Sequence, residues 1–221
     1  SFPTRRSSDL AKSKDTSSSK EKIDTSAVKT QELVINTDNN SGKKKKGSPS
    51  KGPTTITISS MGDCTLGTDE SFDQSTSFNA YYNEYGADYF FKNVRSILEA
   101  DDLSVVNFEG TLTEETSRAD KTFAFKAPAE YAQILTSGSV ESVNTANNHS
   151  HDYGEQSYTD TLTALDNAGI THFGYDDTAV MDIKGIKVGL VGIYELKDHL
   201  GREQQLKDNI AKVKDRKSTR L

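Results

Sequence analysis

The sequence predicts a layered α/β fold built on a mixed sheet, and three observations predict it. Strand-like and helix-like runs alternate between residues 54 and 213, the pattern of a sheet flanked by helices. Three strand-like runs close on polar residues: Met61-Gly-Asp63, Asn107-Phe-Glu109-Gly110, and Asn144-Thr-Ala-Asn-Asn-His149-Ser-His-Asp152-Tyr-Gly154. Near the end, Lys184-Gly185 separates two apolar runs as a hairpin turn would, which makes the sheet mixed rather than purely parallel.

Each element has its own signal. Thr54 to Ser60 alternates β-branched and polar residues and predicts a strand ending at Gly62-Asp63. Residues 64–85 are polar, contain Gly and read as a loop. Tyr89, Phe90, Val94, Ile97 and Leu98 recur at helical spacing, which predicts an amphipathic helix over residues 86–100. Leu103 to Phe108 is a short apolar strand with Glu109 at its mouth, and residues 111–126 read as a loop or hairpin. Pro128 suits the first turn of a helix with Tyr131, Ile134 and Leu135 on its apolar side and Gly138 as its stop. Ser139 to Asn144 is a brief strand leading into the Asn/His segment. Tyr158, Leu162 and Leu165 mark a helix that closes near Gly169, and Ile170 to Phe173 reads as a strand. Val180 to Ile183 and Ile186 to Tyr194 flank the hairpin turn, and Leu200, Glu203, Leu206, Ile210 and Val213 predict a last helix.

Composition divides the chain. Residues 11–53 are mostly Ser, Thr, Lys, Asp and Gly, with the run Lys43 to Lys46. Such a segment buries too little apolar surface to offset chain entropy and reads as a disordered linker. Residues 1–10 and 214–221 resemble translated sequencing-adapter read-through and are set aside, which leaves 54–213 as one partial domain. Over residues 53–213 there are 11 Lys and Arg against 26 Asp and Glu, a net charge of −15. That balance argues against nucleic acid as a partner, because phosphate binding needs a basic face. One cysteine, Cys64, excludes an intrachain disulfide framework.

The three polar strand ends converge on one possibility, a site at the carboxyl edge of the sheet. Asp63 and Glu109 offer carboxylate oxygens, Asn148 an amide oxygen, and His149 and His151 imidazole nitrogens. Such mixed ligands suit Mn, Mg, Fe or Zn, and a pair of ions would clamp a phosphoryl oxygen. Each element alone has a plainer reading: a turn at Gly62-Asp63, a helix cap at Glu109, a hydrogen-bonded corner at Asn147-Asn148-His149. His172 and His199 match no motif and read as structural, and Cys64 reads as a small buried residue rather than a nucleophile.

The same residues carry a family resemblance. In order, spacing and strand context the three motifs resemble the CapA-type poly-γ-glutamate capsule biosynthesis proteins of bacteria, over residues 54–213. That family is similar to calcineurin-type metallophosphoesterases, α/β sandwiches with a two-metal site. The resemblance implies metal-facing roles for Asp63, Glu109 and Asn148, a general-acid role for His149, and Asp152 as its orienting partner. It also implies a pair of divalent ions in the intact protein, poly-γ-glutamate or its membrane synthase complex as partner, and an extracytoplasmic, membrane-anchored location. Two later family segments rich in histidine have no counterpart here, so the chain is expected to hold half a site and to bind metal weakly. The functional alternatives are a scaffold or polymer-binding module of the same fold, and a metal-dependent hydrolase of phosphoesters. Gly62-Asp63-Cys64-Thr-Leu66 is also similar to the Gly-Asp-Ser-Leu block of serine esterases, with Cys in place of the nucleophile.

Overall fold

The structure, a computed structural model, describes residues 53–196 and 199–218. The N-terminal segment 1–10, all of the expected linker except Pro53, and residues 219–221 lie outside the described residues. In chain order the elements are β1 (Ile58–Thr65), α1 (Phe78–Tyr85), α2 (Asp88–Phe91), α3 (Arg95–Leu98), β2 (Leu103–Glu109), β3 (Thr111–Leu112), β4 (Lys126–Ala127), α4 (Ala132–Ser137), β5 (Ser142–Asn144), α5 (Glu155–Asn167), β6 (Thr171–Phe173), β7 (Ala179–Ile183), β8 (Ile186–Leu190) and α6 (Glu203–Ser218).

The chain is α/β, with parallel and antiparallel ladders, as its sequence predicts. Four strands pair in parallel in the order β1-β2-β5-β6. The hairpin β7-β8 forms its own antiparallel ladder, and β3 pairs with β4. The hairpin turn follows the sequence signal: Lys184 and Gly185 both have positive φ, 51° and 83°, the backbone a tight two-residue turn needs. The Gly185 amide donates to Asp182 Oδ1 at 2.8 Å.

Alternation along β2 separates two cores. Val106 and Phe108 face one way and join Val143, Leu98, Ile134, Leu135, Leu165 and Ile170, which puts the helices on that side. Leu103 and Val105 face the other way and pack with Met181, Ile183, Ile186, Val188 and Leu190 of the hairpin. The hairpin thus covers the second face of the parallel sheet, and α6 packs on the hairpin. By the same alternation Asn107 and Glu109 lie on the hairpin side, beyond its apolar patch.

Several elements differ from the sequence expectation. The first strand runs past Ser60 through Asp63 to Thr65, because its pairing with β2 continues after a register irregularity between Ser60 and Asp63. The segment expected to be a loop contains α1, started by Ser77, whose side chain accepts from the Ala80 amide at 3.1 Å. No residue of α1 is fully buried. Its hold on the core is aromatic: Phe78 stacks on Phe90 at 4.2 Å and Tyr82 on Tyr131 at 4.0 Å. The helix expected over residues 86–100 is two short helices, α2 and α3.

Gly174 lets the chain after β6 press against the turn that follows β5. Its φ is +146°, and a Cβ there would lie 2.6 Å from the Ala146 amide nitrogen. Gly62, in β1, has open space around the same position. Gly174→Ala is therefore expected to destabilise the chain by about 1–3 kcal/mol, the cost of a backbone region reserved for glycine, while Gly62→Ala leaves the urea midpoint nearly unchanged. Equal midpoints for the two variants would contradict this packing.

Candidate functional site

The parallel register lines up polar side chains at the carboxyl ends of the strands. Asp63 pairs with Asn107, Asn107 with Asn144, and Thr65 with Glu109. The side chains bond across the strands as the register places them. Asn107 Nδ2 donates to Asp63 Oδ1 at 2.7 Å, and Asn107 Oδ1 accepts from Asn144 Nδ2 at 2.8 Å. Thr65 Oγ1 donates to Glu109 Oε2 at 2.9 Å.

The loop between β5 and α5 is tied to this row by Asn147. Its Nδ2 donates to Asn107 Oδ1 at 3.1 Å and to the Phe108 carbonyl at 2.7 Å, and its Oδ1 accepts from the His149 amide at 2.9 Å. Ser150 Oγ donates to the Thr145 carbonyl and closes the loop on itself. His149 is thereby held, buried, over the end of β2. Its Nδ1 lies 2.8 Å from Asp152 Oδ2 and its Nε2 3.8 Å from Glu109 Oε1. A carboxylate accepts, so the first pairing places a hydrogen on Nδ1 and turns Nε2 toward Glu109. The second distance is too long for a hydrogen bond and leaves Nε2 available.

A strap between β3 and β4, residues 113–125, completes the site. Lys121 Nζ meets Asp152 Oδ1 at 2.6 Å, donates to the Asn148 carbonyl at 2.7 Å and lies 3.2 Å from His149 Nδ1. The Phe125 amide donates to Asp152 Oδ2 at 2.6 Å, and the Phe125 ring packs against His149 with centroids 4.7 Å apart. Asp152 itself is 1% exposed, so these donors are what make an ionised carboxyl tolerable there.

A second buried carboxylate holds the same strap. Asp69 is fully buried; its Oδ2 accepts from Arg118 Nη2 at 2.8 Å and from the Ala124 amide at 2.6 Å. Its Oδ1 accepts from the Ser71 amide at 2.8 Å and the Ser71 hydroxyl at 2.6 Å. Burial works against the charge, but the hydrogen bonds from Ser71, Ala124 and Arg118 outweigh it and hold the Asp69 carboxyl well below the usual range.

Of the residues singled out from sequence, the structure brings Glu109, His149 and Asp152 together. Asp63 is exposed and is linked to them only through Asn107 and Asn147, which accepts from the His149 amide. Asn148 is exposed and meets Lys121 through its backbone carbonyl. His151 stacks on Tyr158 at 4.6 Å and pairs with Glu155 at 3.2 Å, beside the cluster rather than in it. His172 pairs with Asp166 at 3.2 Å, away from the site. Burial pushes the Cys64 thiol up to about 12, so a thiolate nucleophile is absent at neutral pH. Among the described residues no three His, Cys, Asp or Glu side chains are arranged to hold a metal ion. The residues present do not by themselves make a metal site. Sequence reasoning missed Lys121, Arg118 and Asp69. The available signal was two cations inside one short connection of a domain with few.

A family model for the bacterial capsule synthesis protein PGA_cap matches residues 57–220. The chain belongs to that family. Its combination of parallel and antiparallel ladders with helices is that of the metallophosphoesterase-like superfamily which includes it. Over 121 residues, 50% of this chain, it is 28% identical to the capsule biosynthesis protein CapA of Bacillus anthracis and 30% identical to the PGA biosynthesis protein CapA of Bacillus subtilis (strain 168). The match covers 29% and 32% of those proteins, so the chain spans about a third of the length of the curated relatives it matches.

The Asp69 anchor sets an acid limit. Its folded value lies below the unfolded one of about 3.9. The stability it contributes is complete above that unfolded value and is lost as pH falls toward the folded one. Asp69→Ala is expected to cost about 3 kcal/mol at pH 7, since it leaves Arg118 without its buried partner, and less at pH 3. Urea titrations at both pH values check this; an equal cost at the two would contradict it.

Proposed function

We propose that this chain serves bacterial capsule synthesis, in the machinery that makes or exports poly-γ-glutamate, with His149 and Asp152 as its chemical centre. The observation that carries the reading is the pair itself: a buried His149 oriented by Asp152, its Nε2 aimed at Glu109, inside the stretch that matches the family. A histidine fixed in this way fits transfer of a proton to or from a reacting group. The CapA proteins of Bacillus are named for capsule and PGA biosynthesis, which supports the same substrate class here. The reading makes the chain extracellular or membrane-associated. No helix among the described residues is long and apolar enough to cross a membrane, so we assign anchoring to residues other than these. The partner in this reading is the polymer or its membrane synthase complex.

The metal belongs to the proposal too. Asp63, Glu109 and Asn148 are the donors offered to a pair of divalent ions, and further ligands are required to hold them. The purified chain is therefore expected to keep less than a tenth of an equivalent of Mn, Mg, Fe or Zn after dialysis. One equivalent retained, and lost in Glu109→Gln, would contradict this.

A scaffold that keeps the fold without catalysis is the second reading. It is favoured by Asp63 and Glu109 already holding Asn107 and Thr65. Allelic replacement in the source bacterium separates the two. His149→Ala is expected to lower cell-bound poly-γ-glutamate at least about tenfold, the low end of what a lost proton-transfer group costs being larger still, with protein abundance unchanged. Full capsule in that variant would leave only the scaffold. Full capsule after deletion of the gene would remove the capsule reading altogether. Phosphatase assays of the same variant test hydrolysis of phosphoesters.

A further inference from the structure

Beside His149 and Asp152 lies a cleft of about 410 Å³ whose walls include Asp120, Lys121, Asn148, His151, Tyr175 and Tyr194. Nothing in the proton-transfer reading uses its outer half. Lys121 gives the cleft no net positive charge, because its ammonium is paired with buried Asp152 at 2.6 Å and donates to the Asn148 carbonyl. Asp120 is exposed on the cleft and forms no ion pair among the described residues. The surrounding domain carries 26 acids against 11 bases over residues 53–213, a balance that draws cations to its surface, although Arg202 acts on the Tyr175 hydroxyl.

The aromatic wall is built rather than incidental. Tyr175 has φ 53°, a left-handed backbone that a bulky residue adopts at a cost. It is held there from two sides: its hydroxyl donates to the Asn147 carbonyl at 2.9 Å, and its carbonyl accepts from Asn209 Nδ2 of α6 at 2.6 Å. Asn209 is fully buried. The Tyr175 ring is further fixed edge-on to His151 at 5.7 Å and to Tyr158 at 5.8 Å. Aromatic rings beside a carboxylate that has no ion-pair partner among the described residues are the chemistry that recognises an ammonium group.

We propose that this cleft binds an ammonium-bearing ligand, its charge set between the Tyr175 and Tyr194 rings and the Asp120 carboxylate. The inference goes beyond the capsule reading and does not depend on it. Isothermal titration of the purified chain with putrescine, 1,4-butanediol and succinate, matched in length and differing in charge, tests it directly. Putrescine is expected to bind and to weaken with added salt, and the diol and the diacid are not. Asp120→Asn, at an exposed position that folding does not need, is expected to weaken putrescine roughly five- to thirty-fold, and Tyr175→Leu by a similar factor, with circular dichroism confirming that each variant is folded. Binding of succinate or the diol as tight as that of putrescine, no binding of putrescine, or an Asp120→Asn variant with unchanged affinity would each overturn the assignment. Capsule yield is not read in this experiment, so its outcome and that of the gene replacement are independent.

Discussion

Asp152 accepts from three directions at once: His149 Nδ1, the Lys121 ammonium and the Phe125 amide. A carboxylate so buried is unstable unless donors meet both its oxygens, and the sequence supplies them from two separate segments. One is the loop after β5, the other the strap between β3 and β4. The same three contacts therefore fold the strap onto the loop, select the His149 tautomer and close one wall of the cleft. Asp69 repeats the device on the same strap through Arg118 and the Ala124 amide. Consecutive backbone amides, 124 and 125, are thus anchored to separate buried carboxylates.

The succession of strands and helices along the chain was legible because the apolar runs are short and separated by clear stops. Leu103 to Phe108, Ile186 onward and the Lys184-Gly185 turn each carry a pattern that only one local structure satisfies. The α1 helix was not legible. Its residues make no buried apolar stripe, and its place is fixed by stacking on Phe90 and Tyr131, partners distant in sequence. Asp63 looked like the residue after a strand, since Gly62 reads as a stop. Pairing with β2 carries the strand through it.

The site was partly legible for a related reason. Strand ends are local features, and the register that brings Asp63, Asn107 and Asn144 side by side follows from parallel pairing. The Asn-Asn-His segment was recognisable by its density of polar side chains. What it did not reveal is the division of labour within it: Asn147 turns inward and ties the loop to β2, while Asn148 is exposed. Lys121 and Arg118 lie in a stretch without periodicity, and only the fold shows that their partners are carboxylates 31 and 49 residues away.

The family match gives these contacts their context, and the chemistry proposed for them rests on how the imidazole is held. Long-range ¹H–¹⁵N correlation of the side-chain nitrogens of His149 measures that directly. The account requires a hydrogen on Nδ1 that exchanges slowly because Asp152 and Phe125 shield it, and an Nε2 without one, with this pattern lost in Asp152→Asn. A hydrogen on Nε2, or rapid interchange between the two nitrogens in the unaltered chain, would contradict it.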